Sequence, residues 1–237
     1  MEERFLRAGT LLGAEAMDRL KNSRVAVFGL GGVGSWCAEA LARSGVGRLL
    51  LVDEDRVGRS NINRQLCALE STVGLSKADV MAARVRDINP RVEAEPLTLR
   101  YEAATRGTFP LAGCDYVVDA IDLVACKLDL IETALSLGVP IVSALGAGNK
   151  TDAEKLRLAD LAETAGCPLA RVVRRELRQR GIVHLPAVYS PETGETPDTA
   201  EAPPPGRRSV PGSLVWVTAT AGMLLTQHVV MALSRRG

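Results

Sequence analysis

The chain is poor in aromatic residues. Phe, Tyr and Trp make up 3% of its 237 positions, which excludes a surface that holds nucleic acid by stacking on many bases. It also lacks any two cysteines in C-x-x-C spacing. Cys37, Cys67, Cys114, Cys126 and Cys167 lie far apart, so a zinc site of the usual spacing is excluded. At this length and count a disulfide framework is excluded as well. No charge of one sign dominates: the net charge is +1, which rules out a general basic field but leaves room for a local patch. The start, Met1 to Arg7, is charged and no apolar run follows it, so no secretory signal is expected. Together these absences point to a cytoplasmic protein with reduced thiols. Internal repeats are absent too.

One stretch, Ser213 to Leu233, is free of Asp, Glu, Lys and Arg and long enough to cross a bilayer. Thr218, Thr220, Thr226, Gln227 and His228 interrupt it. Its opening residues, Leu214-Val215-Trp216-Val217, read as a strand, with a helix from about Ala219. A buried strand–helix unit is therefore expected over 213–233, with no membrane partner.

What is present is an alternation of strands and helices. Hydrophobic residues make up 46% of the chain, enough to bury a core, and the length fits one large domain or one domain with an extension. Gly13 to Lys21 reads as an amphipathic helix. Strands are expected at Val25–Phe28, Arg48–Val52, Val92–Leu99, Tyr116–Val118 and Pro140–Ser143. Helices are expected from near Gly32, over Ser76–Ile88 ended by Asn89-Pro90, and over Leu128–Leu137 ended by Gly138. This order implies an α/β fold, Rossmann-like and doubly wound, with a mainly parallel sheet, helices on both faces and a C-terminal strand–helix extension. Residues 1–150 form its core, and 151–237 extend the same domain. The extension carries a basic helix over 170–180 and a Pro-, Gly-, Thr- and Glu-rich stretch over 190–212, expected to be mobile.

Three clusters carry chemistry. The first is Gly29-Leu30-Gly31-Gly32-Val33-Gly34-Ser35, placed between an apolar strand and a helix. A tight glycine turn at a helix N-terminus suits a nucleotide phosphate. Asp53 closes the next strand, where an acid can bind a ribose hydroxyl pair. These features alone suit a dinucleotide as well as ATP. The second cluster is Ser60-Asn61-Ile62-Asn63-Arg64-Gln65, with Lys77 at the start of the following helix. Arg offers a planar fork to phosphate oxygens and Lys a mobile point charge. Together they can hold the β- and γ-phosphates while pyrophosphate leaves, which a dehydrogenase does not need. A solvated loop is the plain alternative. The third is Asp119 with Asp122, at the carboxyl end of the Tyr116–Val118 strand. Two carboxylates there can hold Mg²⁺, or can simply cap the next helix.

These motifs, in this order, resemble the adenylating family of ubiquitin-activating enzymes and their bacterial sulfur-carrier relatives. The resemblance rests on Gly29–Ser35, Asp53-Glu54-Asp55, Ser60 to Gln65, Lys77 and Asp119-x-x-Asp122, and spans roughly Arg4 to Gly148. Within that family the chain is similar to the tRNA threonylcarbamoyladenosine dehydratases. The lead-in Arg4–Gly13, Arg43-Ser44-Gly45, Ile88-Asn89-Pro90, Gly146-Ala147-Gly148-Asn149, Pro168-Leu169-Ala170 and Pro211-Gly212-Ser213 carry that likeness. Sulfur-carrier activators usually carry two C-x-x-C pairs, which this chain lacks. It also departs from the subfamily pattern at Cys167, where Asp is common.

The resemblance implies ATP as the cofactor, held by Gly29, Gly31, Gly32, Gly34, Asp53, Asp55, Ser60, Asn61, Asn63, Arg64, Gln65, Lys77, Asp119 and Asp122. Arg64, Lys77 and Asp122 would be catalytic, with Mg²⁺ on Asp122. It implies a homodimer in which Arg7 reaches the γ-phosphate of the neighbouring subunit. It leaves open a monovalent cation near Gly146 and sulfur-transfer proteins as partners. The expected macromolecular partner is tRNA carrying threonylcarbamoyladenosine. Arg171, Arg174, Arg175 and Arg178 share a helix and are candidates for its phosphates, as are Arg207 and Arg208; a solvated basic face is the plain alternative. A carrier protein activated at its C-terminus is the alternative substrate. The ring-closing route on tRNA calls for no enzyme thiol, so the cysteines are expected in the core.

Overall fold

The computed structural model describes residues 2–194 and 211–235. The chain opens with two short helices, α1 (Leu6–Leu12) and α2 (Ala14–Asn22), and then enters the first strand, β1 (Arg24–Phe28). There follow α3 (Gly34–Arg43), β2 (Arg48–Val52), α4 (Lys77–Ile88), β3 (Glu93–Leu97), β4 (Tyr116–Asp119), α5 (Val124–Ser136) and β5 (Ile141–Leu145). The C-terminal third adds β6 (Arg157–Asp160), α6 (Pro168–Gln179), β7 (Pro186–Tyr189) and α7 (Val215–Ser234). The strands form one sheet in the order β3-β2-β1-β4-β5-β7-β6. All neighbours are parallel except β6 and β7.

The centre of the sheet shows why β1 folds as it does. Val25, Ala26, Val27 and Phe28 are all completely buried, as a strand covered on both faces demands. Their side chains alternate between two layers. Val25 and Val27 join a core with α2, α3, α4 and α7, including Leu20, Leu41, Met81 and Leu225. Ala26 and Phe28 face a second core with Leu130 and Ile131 of α5 and Val173 and Leu177 of α6. Three of the few aromatics, Phe28, Tyr101 and Phe109, meet here with ring centroids 5.2 to 5.4 Å apart. All the phenylalanines and tyrosines are buried, whereas Trp216 is exposed.

The strand expected at Leu214–Val217 is not formed: helix α7 starts at Val215. β-Branched residues favour a strand locally, but packing overrides that preference. In a helix, Val217, Ala221, Leu225, Val229 and Leu233 fall on one side, and all are buried. Gly222 lets α7 approach α3 so closely that a Cβ there would lie 2.6 Å from the Val33 carbonyl oxygen. α7 is long and apolar enough to cross a membrane, and that face is taken up by α2, α3 and the sheet.

Strands β6 and β7 have no counterpart in the sequence-based reading, because Arg157–Asp160 and Pro186–Tyr189 are only four residues long. They add an antiparallel edge from within the extension, which therefore completes the sheet of the core. Of the stretch 190–212 expected to be mobile, residues 195–210 lie outside the described residues, as do Arg207 and Arg208.

Candidate functional site

Parallel pairing brings the ends of β1, β2 and β4 to one edge of the sheet: Phe28 lies opposite both Val52 and Asp119. That edge is where doubly wound folds bind ligands. The glycine turn begins there. Gly29 has φ +86°, a region that disfavours side chains. A Cβ on Gly29 would come within 2.6 Å of the Ala120 carbonyl oxygen, and one on Gly34 within 1.8 Å of the Gly29 carbonyl oxygen. The turn must therefore be bare at both positions to close onto the N-terminus of α3, where backbone N–H groups lack partners within the helix. Gly31 and Gly32 are less constrained sterically: the first looks toward the Gln65 amide at 3.7 Å and the second toward Thr218 of α7 at 3.1 Å.

Asp53 follows β2. Its Oδ2 accepts from the Leu30 amide at 2.6 Å and its Oδ1 from the Asp55 amide at 2.8 Å. Burial pushes the Asp53 carboxyl above the usual aspartate range, against the opposing pull of Lys77 and of those two amides. Asp55 in turn accepts from Lys77 Nζ at 2.8 Å. Lys77, the first residue of α4, is almost fully buried while Asp55 is largely exposed. Asp53, Asp55 and Lys77 thus form one connected group beside the glycine turn.

The Ser60–Gln65 segment leaves a short 3₁₀ helix, Arg59–Asn61, as a further turn docked on the start of α3. Ser35 Oγ donates to the Gly31 carbonyl at 2.6 Å and accepts from the Leu66 amide at 3.1 Å. Trp36 Nε1 donates to the Arg64 carbonyl at 3.0 Å. Within the turn, the Asn61 side chain accepts from the Gly58 amide. Arg64 Nη1 donates to the Ser60 carbonyl at 2.9 Å and to Asn63 Oδ1 at 2.8 Å. Gln65 is buried and Arg64 partly exposed. Asn63 also donates to the Ser213 carbonyl at 3.0 Å, tying this turn to the start of α7. Ser35 and Trp36 carry the docking. A serine directly after the glycine turn and one of only two tryptophans are the signals in the sequence that point to them.

Asp119 departs from expectation. It is fully buried and paired with Lys127 at 2.6 Å, and Ser143 Oγ donates to the same carboxylate oxygen at 2.5 Å. Asp119 is thus enclosed, with Oδ2 taken by Lys127 and Ser143 and Oδ1 by the Ile121 amide at 3.1 Å, and is not presented at the surface beside Asp122 as expected. Asp122 is exposed in the turn between β4 and α5. Among the described residues no three His, Cys, Asp or Glu side chains cluster as a metal cage. A single exposed carboxylate still suits Mg²⁺, which takes one or two carboxylates with substrate phosphates and water.

Farther out, Gly146 has φ +76°, and a Cβ on it would meet Cys167 Sγ at 3.1 Å. Cys167 precedes Pro168 at the start of α6 and donates to the Leu145 carbonyl at 3.5 Å. All five cysteines are buried, and burial pushes the Cys37 and Cys67 thiols up to about 12 and about 11. Asn149, with φ 58°, accepts from the Gly212 amide at 2.7 Å through its side chain and donates its own amide to the Gly212 carbonyl at 2.8 Å. A Cβ on Gly194 would strike the Asn149 carbonyl oxygen at 1.7 Å, so residues 194 and 212 meet at Asn149.

The basic helix is α6. Ala170, Val173 and Leu177 are buried, and Arg171 and Arg178 are exposed. Arg174 is partly buried and donates to Thr164, and Arg175 pairs with Glu176 at 2.8 Å. Arg7 stands exposed on α1, whose main contacts are with α2 and the turn before it.

A family model described as the ThiF family matches residues 5–237. The chain belongs to that family. It is 43% identical to the tRNA threonylcarbamoyladenosine dehydratase of Bacillus subtilis, over 98% of this chain and 95% of that one. The crystal structure of the Escherichia coli tRNA N6-threonylcarbamoyladenosine dehydratase in complex with ATP superposes with a TM-score of 0.88 at 34% identity, covering 99% of this chain and 97% of that one. The SAMP-activating enzyme E1 of Haloferax volcanii is 40% identical, but over only 55% of this chain and 48% of its own. The likeness to the two dehydratases, by contrast, runs almost end to end and takes in α6 and α7.

Proposed function

We propose that this chain is an ATP-dependent enzyme that dehydrates and cyclises threonylcarbamoyladenosine in tRNA, beside the anticodon, by adenylating the threonyl carboxylate. The observation that carries this reading is the 43% identity to the Bacillus subtilis dehydratase across almost the full length of both chains. The ATP complex of the Escherichia coli relative, with its near-complete superposition, supports ATP as the nucleotide.

In this reading the glycine turn and the N-terminus of α3 receive the triphosphate. The Asp53 carboxylate shapes the ribose end by holding the Leu30 amide. The substrate carboxylate is already a nucleophile at neutral pH, so the protein's task is alignment and neutralisation of charge on the leaving pyrophosphate. Arg64 extends a cation from the docked turn. Lys77 is held by Asp55 and must exchange that partner for phosphate oxygens. Asp122 would hold Mg²⁺, which when bound supplies positive charge to the triphosphate. The carboxylate displaces pyrophosphate from the α-phosphorus, an atom within the threonylcarbamoyl arm attacks the acyl group, the ring closes and AMP leaves. One water has then been removed overall, and no enzyme thiol takes part.

Arg7 is exposed on α1 and would act on the triphosphate of a second copy, which makes the working unit a homodimer. For the tRNA, α6 offers Arg171 and Arg178. The helix starts beside the C-terminal end of β5, so Arg171 lies nearer the nucleotide edge and Arg178 about 10 Å farther along the helix axis.

Nucleoside mass spectrometry tests the reading. Protein, ATP, Mg²⁺ and threonylcarbamoyl-modified tRNA should yield a nucleoside lighter by one water, with AMP and pyrophosphate, and Asp122→Ala should abolish the product. Unchanged tRNA with adenylation of a ubiquitin-like carrier instead would install the carrier-activating reading.

A further inference from the structure

The buried group under the nucleotide edge has no role in the chemistry just described. Lys127 of α5 is completely enclosed, and its ammonium donates to Asp119 Oδ2 at 2.6 Å, to Ser143 Oγ at 3.1 Å and to the Ala144 carbonyl at 3.0 Å. Asp119 and Ser143 are equally enclosed. All three donor positions of the ammonium are used, and Oδ2 takes two donors, Lys127 and Ser143. Such a pair is costly to bury, and well-packed apolar residues of similar volume are often as stable or better. Stability alone is a poor account of it.

Its second carboxylate oxygen gives the better account. Asp119 Oδ1 accepts from the Ile121 amide at 3.1 Å. Ile121 is the residue before Asp122, in the turn that joins β4 to α5. The same turn lies against the glycine turn: the Ala120 carbonyl oxygen lies 2.6 Å from where a Cβ on Gly29 would be, and the Ala120 methyl lies 3.2 Å from the Cβ position of Gly34. The carboxylate plane is therefore fixed from below by Lys127 and Ser143. It fixes in turn the peptide that carries Asp122 past the phosphate-binding backbone.

We infer that Lys127 and Ser143 are positioning residues: through Asp119 and the Ile121 amide they set where Asp122 presents its carboxylate to the nucleotide's magnesium. The inference rests on the adenylation reading, since it assigns Asp122 the metal. It is specific about the direction of effect. Loss of the buried ammonium frees the Asp119 carboxylate to turn, the Ile121 amide loses its fixed acceptor, and the Asp122 turn loosens while the glycine turn keeps its own backbone geometry. ATP without metal should then bind as before, and the gain that Mg²⁺ adds should shrink.

Lys127→Met keeps the length and apolar volume of the stem, and Ser143→Ala removes one donor while leaving the ion pair. The full chain is used for both. Amide exchange at Ile121, followed by NMR, should quicken tenfold or more in Lys127→Met and about threefold in Ser143→Ala. By calorimetry, ATP affinity without Mg²⁺ should stay within threefold of wild type, while the increment from Mg²⁺ falls about tenfold in Lys127→Met. Ser143→Ala keeps the test decisive if Lys127→Met does not fold. Folded variants with unchanged Ile121 exchange and an unchanged magnesium increment, beside a wild type that binds ATP with Mg²⁺, overturn the inference alone. A wild type that binds no ATP overturns the proposed function and the inference with it.

Discussion

At the scale of single residues, the site separates groups that can meet phosphate from groups that only support them. Arg64 is partly exposed and held by two acceptors of its own turn, whereas Asp119 is spent inside the core. Arg64→Ala should lower the rate of AMP formation by about 10²–10³, as for removal of one charge-stabilising group, with the melting temperature little changed. Cys167→Ala should retain activity, because Cys167 is enclosed beside Gly146 and Leu145 and the ring-closing route uses no thiol. A quenched-flow assay of AMP release on both variants checks the pair. Most of these residues are legible in the sequence: the glycine turn, Asp53, Arg64 and Lys77 sit in dense polar or glycine clusters that an apolar core does not need. Asp119 misleads because spacing from Asp122 reports position along the chain and not enclosure. Only the partner Lys127, eight residues on, marks it as half of an internal ion pair.

At the scale of elements, two helices carry testable loads. On α6 Arg171, Arg175 and Arg178 are exposed, but Arg175 pairs with Glu176 and the partly buried Arg174 donates to Thr164, so the test falls on Arg171 and Arg178. Changing these two to Glu should weaken tRNA binding and lower its salt slope by about one unit for each phosphate no longer neutralised, with ATP affinity intact; filter binding across a salt series measures this. On α7, His228 Nε2 meets the Tyr116 hydroxyl at 2.8 Å, and burial lowers the imidazole's pKa below its usual 6.5. The unfolded chain then binds the proton more readily than the folded one. Stability is full above the unfolded value and falls as pH drops from there toward the folded value. Urea midpoints between pH 7.5 and 5 should decline in the wild type and decline less in His228→Gln. The sequence tells the helical part of α7 from its apolar length. Its first turn reads wrongly as a strand because Val215 and Val217 prefer strands in isolation, and the deciding contact, Gly222 against α3, joins residues far apart in the chain. Strands β6 and β7 escape for a similar reason: four residues carry too little alternation, and their pairing is with each other and β5.

At the scale of the whole molecule, the parallel sheet gathers three strand ends into one edge, and the order of helices and strands predicts that arrangement from β1 to β5. What a single copy does not do is bring Arg7 to that edge. In a two-fold dimer each site would take Arg7 from its neighbour. Mixing inactive Arg7→Ala and Asp122→Ala chains should then restore up to about a quarter of wild-type activity, since half the dimers are mixed and each holds one complete site. Turnover after subunit exchange, with mixed dimers confirmed by mass, measures it; no recovery would mean that Arg7 acts elsewhere.

The meeting of residues 194 and 212 at Asn149 has a consequence for how the chain can change over generations. Gly194 and Gly212 are held side by side there, the first against the Asn149 carbonyl and the second by two hydrogen bonds to Asn149. Once two points of a chain are fixed together, closing the loop between them costs only about 0.6 kcal/mol more for each doubling of its length. Change is therefore most tightly limited at the anchor, where any side chain on Gly194 would strike the Asn149 carbonyl oxygen.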